Sequence, residues 1–167
     1  KIVFTDYSLR DGILRREIQL LELQKGIDTE VDLAVLYEQA SRFGSSKMHF
    51  KKLVALTETL FTRLQKLHRL SPRWLTYLKL AVLFRNSGRS ISPLDHEKHS
   101  YYIVKHADLP VYDAWEREFV AQLCLHHEGG KLDVATLPFQ GVRLSQQLKN
   151  FPRLLSLLRL VDALDAA

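Results

Sequence analysis

The chain has 167 residues, 46% hydrophobic and 26% charged, with a formal charge of +5. That is enough for one compact domain with a sizeable core, while no apolar run reaches the roughly 20 residues a membrane crossing needs. The single cysteine, Cys124, excludes an internal disulfide and any CxxC metal or redox pair, which favours a cytoplasmic setting; the basic balance attracts anions without naming one, and a solvated surface with no ligand accounts for it equally.

"KIVFT" at residues 1–5 reads as a short strand, too short for a sheet alone and therefore a remnant of one elsewhere. Thr29, Glu30, Val31 and Asp32 resemble a capping box, and Leu33, Leu36, Tyr37, Ala40 and Phe43 follow at helical spacing to a stop at Gly44. Ser46 caps the next expected helix, which runs to about Leu70 with Phe50, Leu53, Val54, Leu60, Phe61, Leu64 and Leu67 as its apolar positions. Ser71 and Pro72 supply the N-cap and first residue of a helix carrying Trp74, Leu75, Leu78, Ala81 and Val82. "RNSGRS" breaks it, and Ser92 with Pro93 opens another through Tyr101, Tyr102 and Val104. Asp113 with Glu116 is again capping-box-like, ahead of Trp115, Phe119, Val120 and Leu123, with a stop at Gly129 and Gly130. "KLDVATLPFQGV" reads as a loop, and "RLSQQL" and "FPRLLSLLRLVDALDAA" as the closing helices. The expected fold is a single compact all-α domain of about seven helices. Within it Cys124 reads as a buried inert thiol, and Trp74 and Trp115 as core residues.

Some polar residues do not fit a simple core. His49 lies one turn before Leu53, with Leu56 and Leu60 on the same side, and Asp162 shares a face with Leu155, Leu158 and Val161. A carboxylate on an apolar stripe needs a metal, an arginine or a backbone donor as partner. His49 alone reads as a hydrogen-bonded core histidine. His49 and Asp162 together, with His96 and His99 on a helix between them, suggest a common polar centre.

The segment "TDYSLRDGIL" resembles the DYxLREGxL junction motif of the exopolyphosphatase/guanosine pentaphosphate phosphatase (Ppx/GppA) family. "LAVLFRNSGRSIS" followed by "DHEKHSYYIVKHADLPVYDAWEREFVAQLCLHH" is similar to that family's histidine-rich segment, and "RLLSLLRLVDALDAA" to its closing LLRLADALD. The likeness runs in the right order over nearly the whole chain. It implies an HD-like helical domain at residues 13–167, with residues 1–12 as a junction following an actin-like catalytic core of the same parent chain. In that family the core hydrolyses terminal phosphates of polyphosphate or pppGpp with magnesium or a similar divalent cation. The resemblance implies no cofactor in this domain and an isolated domain without activity.

The HD fold is named for a His…His-Asp…Asp metal set. The resemblance maps His49 onto the first histidine, Asp162 onto the last aspartate and the central doublet onto Phe84 and Arg85. Phe84 has no lone pair to donate, and Arg85 stays cationic and repels a divalent ion. The site therefore reads as degenerate, with Arg85 expected to meet Asp162 in a charge-assisted pair. His96, His99, His126 and His127 are the remaining candidate ligands, yet the only carboxylates seen at ligand spacing beside them are Asp95 and Glu97, and adjacent helical residues point to different faces. No metal is expected.

The expected role is support: packing on the core, helping to form a channel for polyphosphate or pppGpp through Arg89, His96, Lys98, His99 and Lys105, and contributing to a homodimer. Surface charge with one or two core histidines is an equal reading of that cluster. The alternatives are an active metal-dependent HD-type nucleotide phosphohydrolase and a protein-interaction module without phosphate contact. Nucleic acid is disfavoured, because Lys and Arg are spread along the chain and no reading-helix motif appears.

Overall fold

The computed structural model describes residues 33–43, 46–107, 114–139 and 144–165. They belong to a compact unit that begins at Leu33. The expected strand at 1–5, the junction at 1–12, the capping box at 29–32, the stop at Gly44 and the cap at Asp113 lie outside the described residues. Seven α-helices are present among those described: α1 Leu33–Ser41, α2 Lys47–Arg63, α3 Gln65–His68, α4 Arg73–Phe84, α5 His96–His106, α6 Ala114–Leu125 and α7 Leu144–Asp165. Two 3-10 turns, Ser87–Ser90 and Val134–Thr136, complete the set, and no strand occurs among the described residues.

Helix α4 is the centre. Trp74, Tyr77, Leu78 and the whole run Leu80, Ala81, Val82, Leu83 and Phe84 are buried. A helix apolar on nearly every side must be covered on nearly every side, and α1, α2, α6 and α7 all pack against it. Helix α5 stands one layer out, against α6 and the 3-10 turn at Ser87–Ser90.

Ser46 caps α2 as expected, its Oγ accepting from the His49 amide at 3.3 Å. The helix ends earlier than expected, at Arg63, and α3 is a single short turn closed by Arg69 in the left-handed region at φ 53°. The break turns Leu67 outward, where it is 81% exposed rather than core. His68 takes the buried place: the Leu70 amide donates to its Nδ1 at 3.0 Å, so its Nε2 carries the proton and donates to the Phe61 carbonyl at 2.8 Å. Helix α4 begins at Arg73, and no side chain caps it.

"RNSGRS" does more than break α4. Its 3-10 turn brings Gly88 against the start of α5, where a Cβ would overlap the His96 carbonyl oxygen and lie 2.6 Å from the Ser100 amide nitrogen. Ser100 Oγ receives the Gly88 N–H at 2.9 Å and donates to the Arg85 carbonyl at 2.7 Å. The next helix starts at His96 and not at Ser92, after Asp95 in the left-handed region at φ 53°. The two expected closing helices are one helix, α7, which carries Pro152 in its interior. Proline removes one backbone donor, and burial of Phe151, Leu154, Leu155, Leu158 and Val161 outweighs that loss.

Candidate functional site

The expected pair is present. The Arg85 side chain is 3% exposed, and its Nε donates to Asp162 Oδ1. Its Nη2 donates to Asp165 Oδ2 at 2.6 Å and its Nη1 to the Val82 carbonyl at 2.6 Å. Asp162 and Asp165 are three apart on α7, hence on one face, so both carboxylates converge on one guanidinium. His49 Nε2 reaches Asp165 Oδ2 at 3.4 Å. His49 is thus on the rim, its side chain 49% exposed, and is not the core histidine its flanking leucines suggest. Asp165 is a member of the centre that the sequence reading missed, although the i,i+3 spacing from Asp162 was visible.

Phe84 is fully buried, with its ring centroid 6.2 Å from that of Phe43. It belongs to the apolar core. The residue that turns toward the polar side is Asn86, whose Oδ1 is 3.2 Å from His96 Nε2. The polar doublet is therefore Arg85-Asn86, one residue later than the expected Phe84-Arg85. Cys124 lies behind it, fully buried, with Sγ 3.7 Å from the Ala81 carbonyl oxygen. Burial pushes its thiol up to about 12, Arg85 acting weakly in the opposite sense, so the thiolate needed for reactivity is absent near neutral pH.

The five residues expected to hold phosphate divide in two. His96 is buried at 3% exposure and is therefore not part of a basic surface. His99 is half-buried at the start of α5. Arg89, Lys98 and Lys105 are exposed, but each has a carboxylate nearby: Glu128 at 3.9 Å, Asp95 at 3.1 Å and Glu118 at 3.1 Å respectively. Lys105 also donates to the Tyr101 hydroxyl at 2.8 Å.

A second polar centre gathers where α5 meets the turn after α6. His96 Nε2 lies 3.4 Å from Glu128 Oε1, and the rings of His96 and His127 are 5.3 Å apart. Glu128 is not among the carboxylates considered in the sequence reading. It follows the His126-His127 pair directly, and the fold folds that turn back onto α5. Arg159 holds the turn: its guanidinium donates to the carbonyls of His126, Gly129 and Gly130 at 2.7–3.3 Å. Gly129 and Gly130 take φ 134° and 82°, conformations that favour glycine.

A third feature is a small cavity of about 50 Å³ between α4, α6 and α7, lined by Arg73, Tyr77, Trp115 and Gln147 among others. The Tyr77 hydroxyl donates to Glu116 Oε1 at 2.5 Å, and Arg73 Nη2 donates to the same oxygen at 3.2 Å. Burial and the carboxylate raise the Tyr77 phenol, keeping it a neutral donor. Glu116 is a buried acceptor here, and its expected capping box with Asp113 lies outside the described residues. The volume suits a water molecule rather than a substrate.

The family model described as Ppx/GppA phosphatase, domain III, matches residues 35–166. Its range takes in all the described helices except the first residues of α1.

Proposed function

Because the chain belongs to the Ppx/GppA phosphatase family, as its domain III, we propose that it is a helical accessory domain that handles a polyanionic substrate for an actin-like core of the same parent chain and has no hydrolytic HD centre of its own. The observation that carries this reading is the Arg85 guanidinium, 3% exposed and engaged by both Asp162 and Asp165. A guanidinium stays charged at every physiological pH. The space between His49 and Asp162 is thus held by a fixed cation, and the carboxylates that would bind a catalytic ion there are already neutralised. Magnesium chemistry belongs to the core in this reading, and polyphosphate or pppGpp is its substrate.

Support for a polyanion role is the exposed Arg89, Lys98 and Lys105 on and beside α5. Their carboxylate neighbours make any such contact weak and give it a shallower salt dependence than an unpaired cation has. The second expected role, dimerisation, draws on exposed apolar side chains such as Leu160 and Leu164 on α7. No helix among the described residues is long and apolar enough to cross a membrane.

The test is phosphate release from polyphosphate and from pppGpp by this chain with magnesium or manganese. The expected result is a rate equal to the buffer blank. Release abolished by a chelator overturns the reading in favour of an HD-type phosphohydrolase. Polyphosphate binding is then titrated against salt, where Lys98→Ala is expected to lower the slope by less than the about one unit of an unpaired contact. No binding at low salt leaves a protein-interaction module.

A further inference from the structure

His127 is 2% exposed, and its Nε2 is a buried side-chain atom without a hydrogen-bond partner. Its other ring nitrogen, Nδ1, is 2.7 Å from the Cys124 carbonyl oxygen. A carbonyl only accepts, so Nδ1 carries the proton and Nε2 is a bare lone pair. A buried acceptor left without a partner is destabilising, because its lost hydration is not replaced. The fold tolerates this atom and surrounds it with polar groups.

The surrounding groups have the chemistry of ligands. His96, His127 and Glu128 each offer one ligand atom, and these atoms all lie within 4.8 Å of one another. His96 Nε2 and Glu128 Oε1, 3.4 Å apart, already match the edge of about 3.3 Å that follows for a tetrahedron with ligands about 2.0 Å from a zinc ion. The remaining separations, at most 4.8 Å, close by small side-chain adjustments, for which Glu128, with its side chain 50% exposed, has the most freedom. The imidazoles are held more firmly. His127 is anchored through Nδ1, the arrangement by which metal-binding histidines are usually oriented. Its turn is clamped by Arg159, and His96 stands at the end of α5 that Gly88 allows to come close.

We propose that His96, His127 and Glu128 bind one divalent transition metal of the zinc class, which joins the start of α5 to the turn after α6. Two imidazoles and one carboxylate suit zinc, and three protein ligands leave a fourth position for water. The site shares no ligand with His49, Arg85 or Asp162. Arg85 does not oppose the ion, because Asp162 and Asp165 offset its charge. Arg89, 3.9 Å from Glu128 and 59% exposed, yields its place to the ion. His96 gives up its contact with Asn86, and its proton passes to Nδ1, which faces Glu97 Oε2 at 4.0 Å. The metal acts here as a clamp between two elements, independent of whether the domain touches polyphosphate.

The experiment is titration of the metal-free chain with Zn²⁺ by calorimetry and with Co²⁺ by visible absorption. One equivalent of each is expected to bind, with Co²⁺ giving the intense visible bands of a low-coordinate N/O site. Glu128→Gln is the deciding variant, because its half-exposed side chain can change without unfolding the domain. It is expected to weaken Zn²⁺ binding by at least about tenfold, the scale at which even outer-shell partners act, with the metal-free melting temperature unchanged. His96→Gln is expected to weaken it further. Failure of Zn²⁺ to bind at one equivalent overturns the proposal, and so does binding that Glu128→Gln leaves unaltered.

Discussion

The two polar centres are neighbours in the chain, since Arg85 belongs to one and Asn86 touches the other, yet they solve the same problem in opposite ways. At Arg85 each guanidinium nitrogen has an acceptor: two carboxylates and a carbonyl meet one side chain. At His127 a buried nitrogen meets nothing. The first centre is closed by a charge supplied by the protein itself. The second leaves a buried lone pair open to a charge supplied from outside. A buried arginine neutralises only the carboxylates it reaches, and the histidines one layer outward keep their lone pairs.

The largest test of this contrast is mechanical. Gly88→Ala forces α5 away from the end of α4 and should destabilise the domain by about 3 kcal/mol, read from urea denaturation. Because the clash falls on His96 and Ser100, Zn²⁺ binding should fall with it while the Arg85 pairing persists; unchanged stability shows that the close approach is not real.

Arg85→Ala addresses the closed centre. Removing one partner of a fully buried ion pair costs about 3–5 kcal/mol. Here the side chains of Asp162 and Asp165 keep 33% and 20% exposure, so water takes part of the load and about 2–3 kcal/mol is expected. Arg85→Met with Asp162→Leu should recover much of the loss, because Asp165 retains His49 as a neighbour at 3.4 Å. A double variant no more stable than Arg85→Ala contradicts the assignment of the loss to an uncompensated carboxylate.

Arg159→Ala loosens the turn that carries His127 and Glu128. Charged donors to three carbonyl oxygens are lost, and about 1–2 kcal/mol should go with them. The sharper readout is Zn²⁺ affinity, which should drop although Arg159 is no ligand. An unaltered affinity means that the turn is held by something else.

The smallest effect belongs to Glu128→Gln without metal. Its partners are Arg89 at 3.9 Å and His96 at 3.4 Å, and its side chain is half exposed. A melting curve should therefore shift by no more than about 0.5 kcal/mol of stability. A larger loss in the metal-free protein shows that Glu128 is a structural partner of His96 first.

How far the sequence carried is clearest in particular residues. Apolar spacing located the helices because the 3.6-residue period is a local property: Phe50, Leu53, Val54 and Phe61 are buried as that period requires. Helix ends were less legible. Ser46 caps α2 through its own side chain, but α5 begins after Asp95 with no side-chain cap, held in place by the bond from Gly88 of the preceding turn to its own Ser100. The split of α2 near Leu64 and the passage of α7 through Pro152 are likewise decided by which face each segment can bury against α4.

For the polar residues the division is similar. The sequence alone determined that Asp162 was anomalous, because a charge on an apolar stripe must find a partner, and the family resemblance pointed to Arg85 as that partner. It also fixed the family likeness, since that rests on residue types in order. Tertiary structure decided the rest: that Phe84 faces the core and Asn86 the polar side, that Asp165 joins the pair, that His96 is buried while Lys98 and Lys105 are not, and that Glu128 comes beside His96. These depend on one residue of helical phase, about 100° of rotation, and on the path of a turn between α6 and α7. Composition and spacing contain no distance between residues far apart in the chain. Only packing against α4 sets which lone pairs end up facing one another.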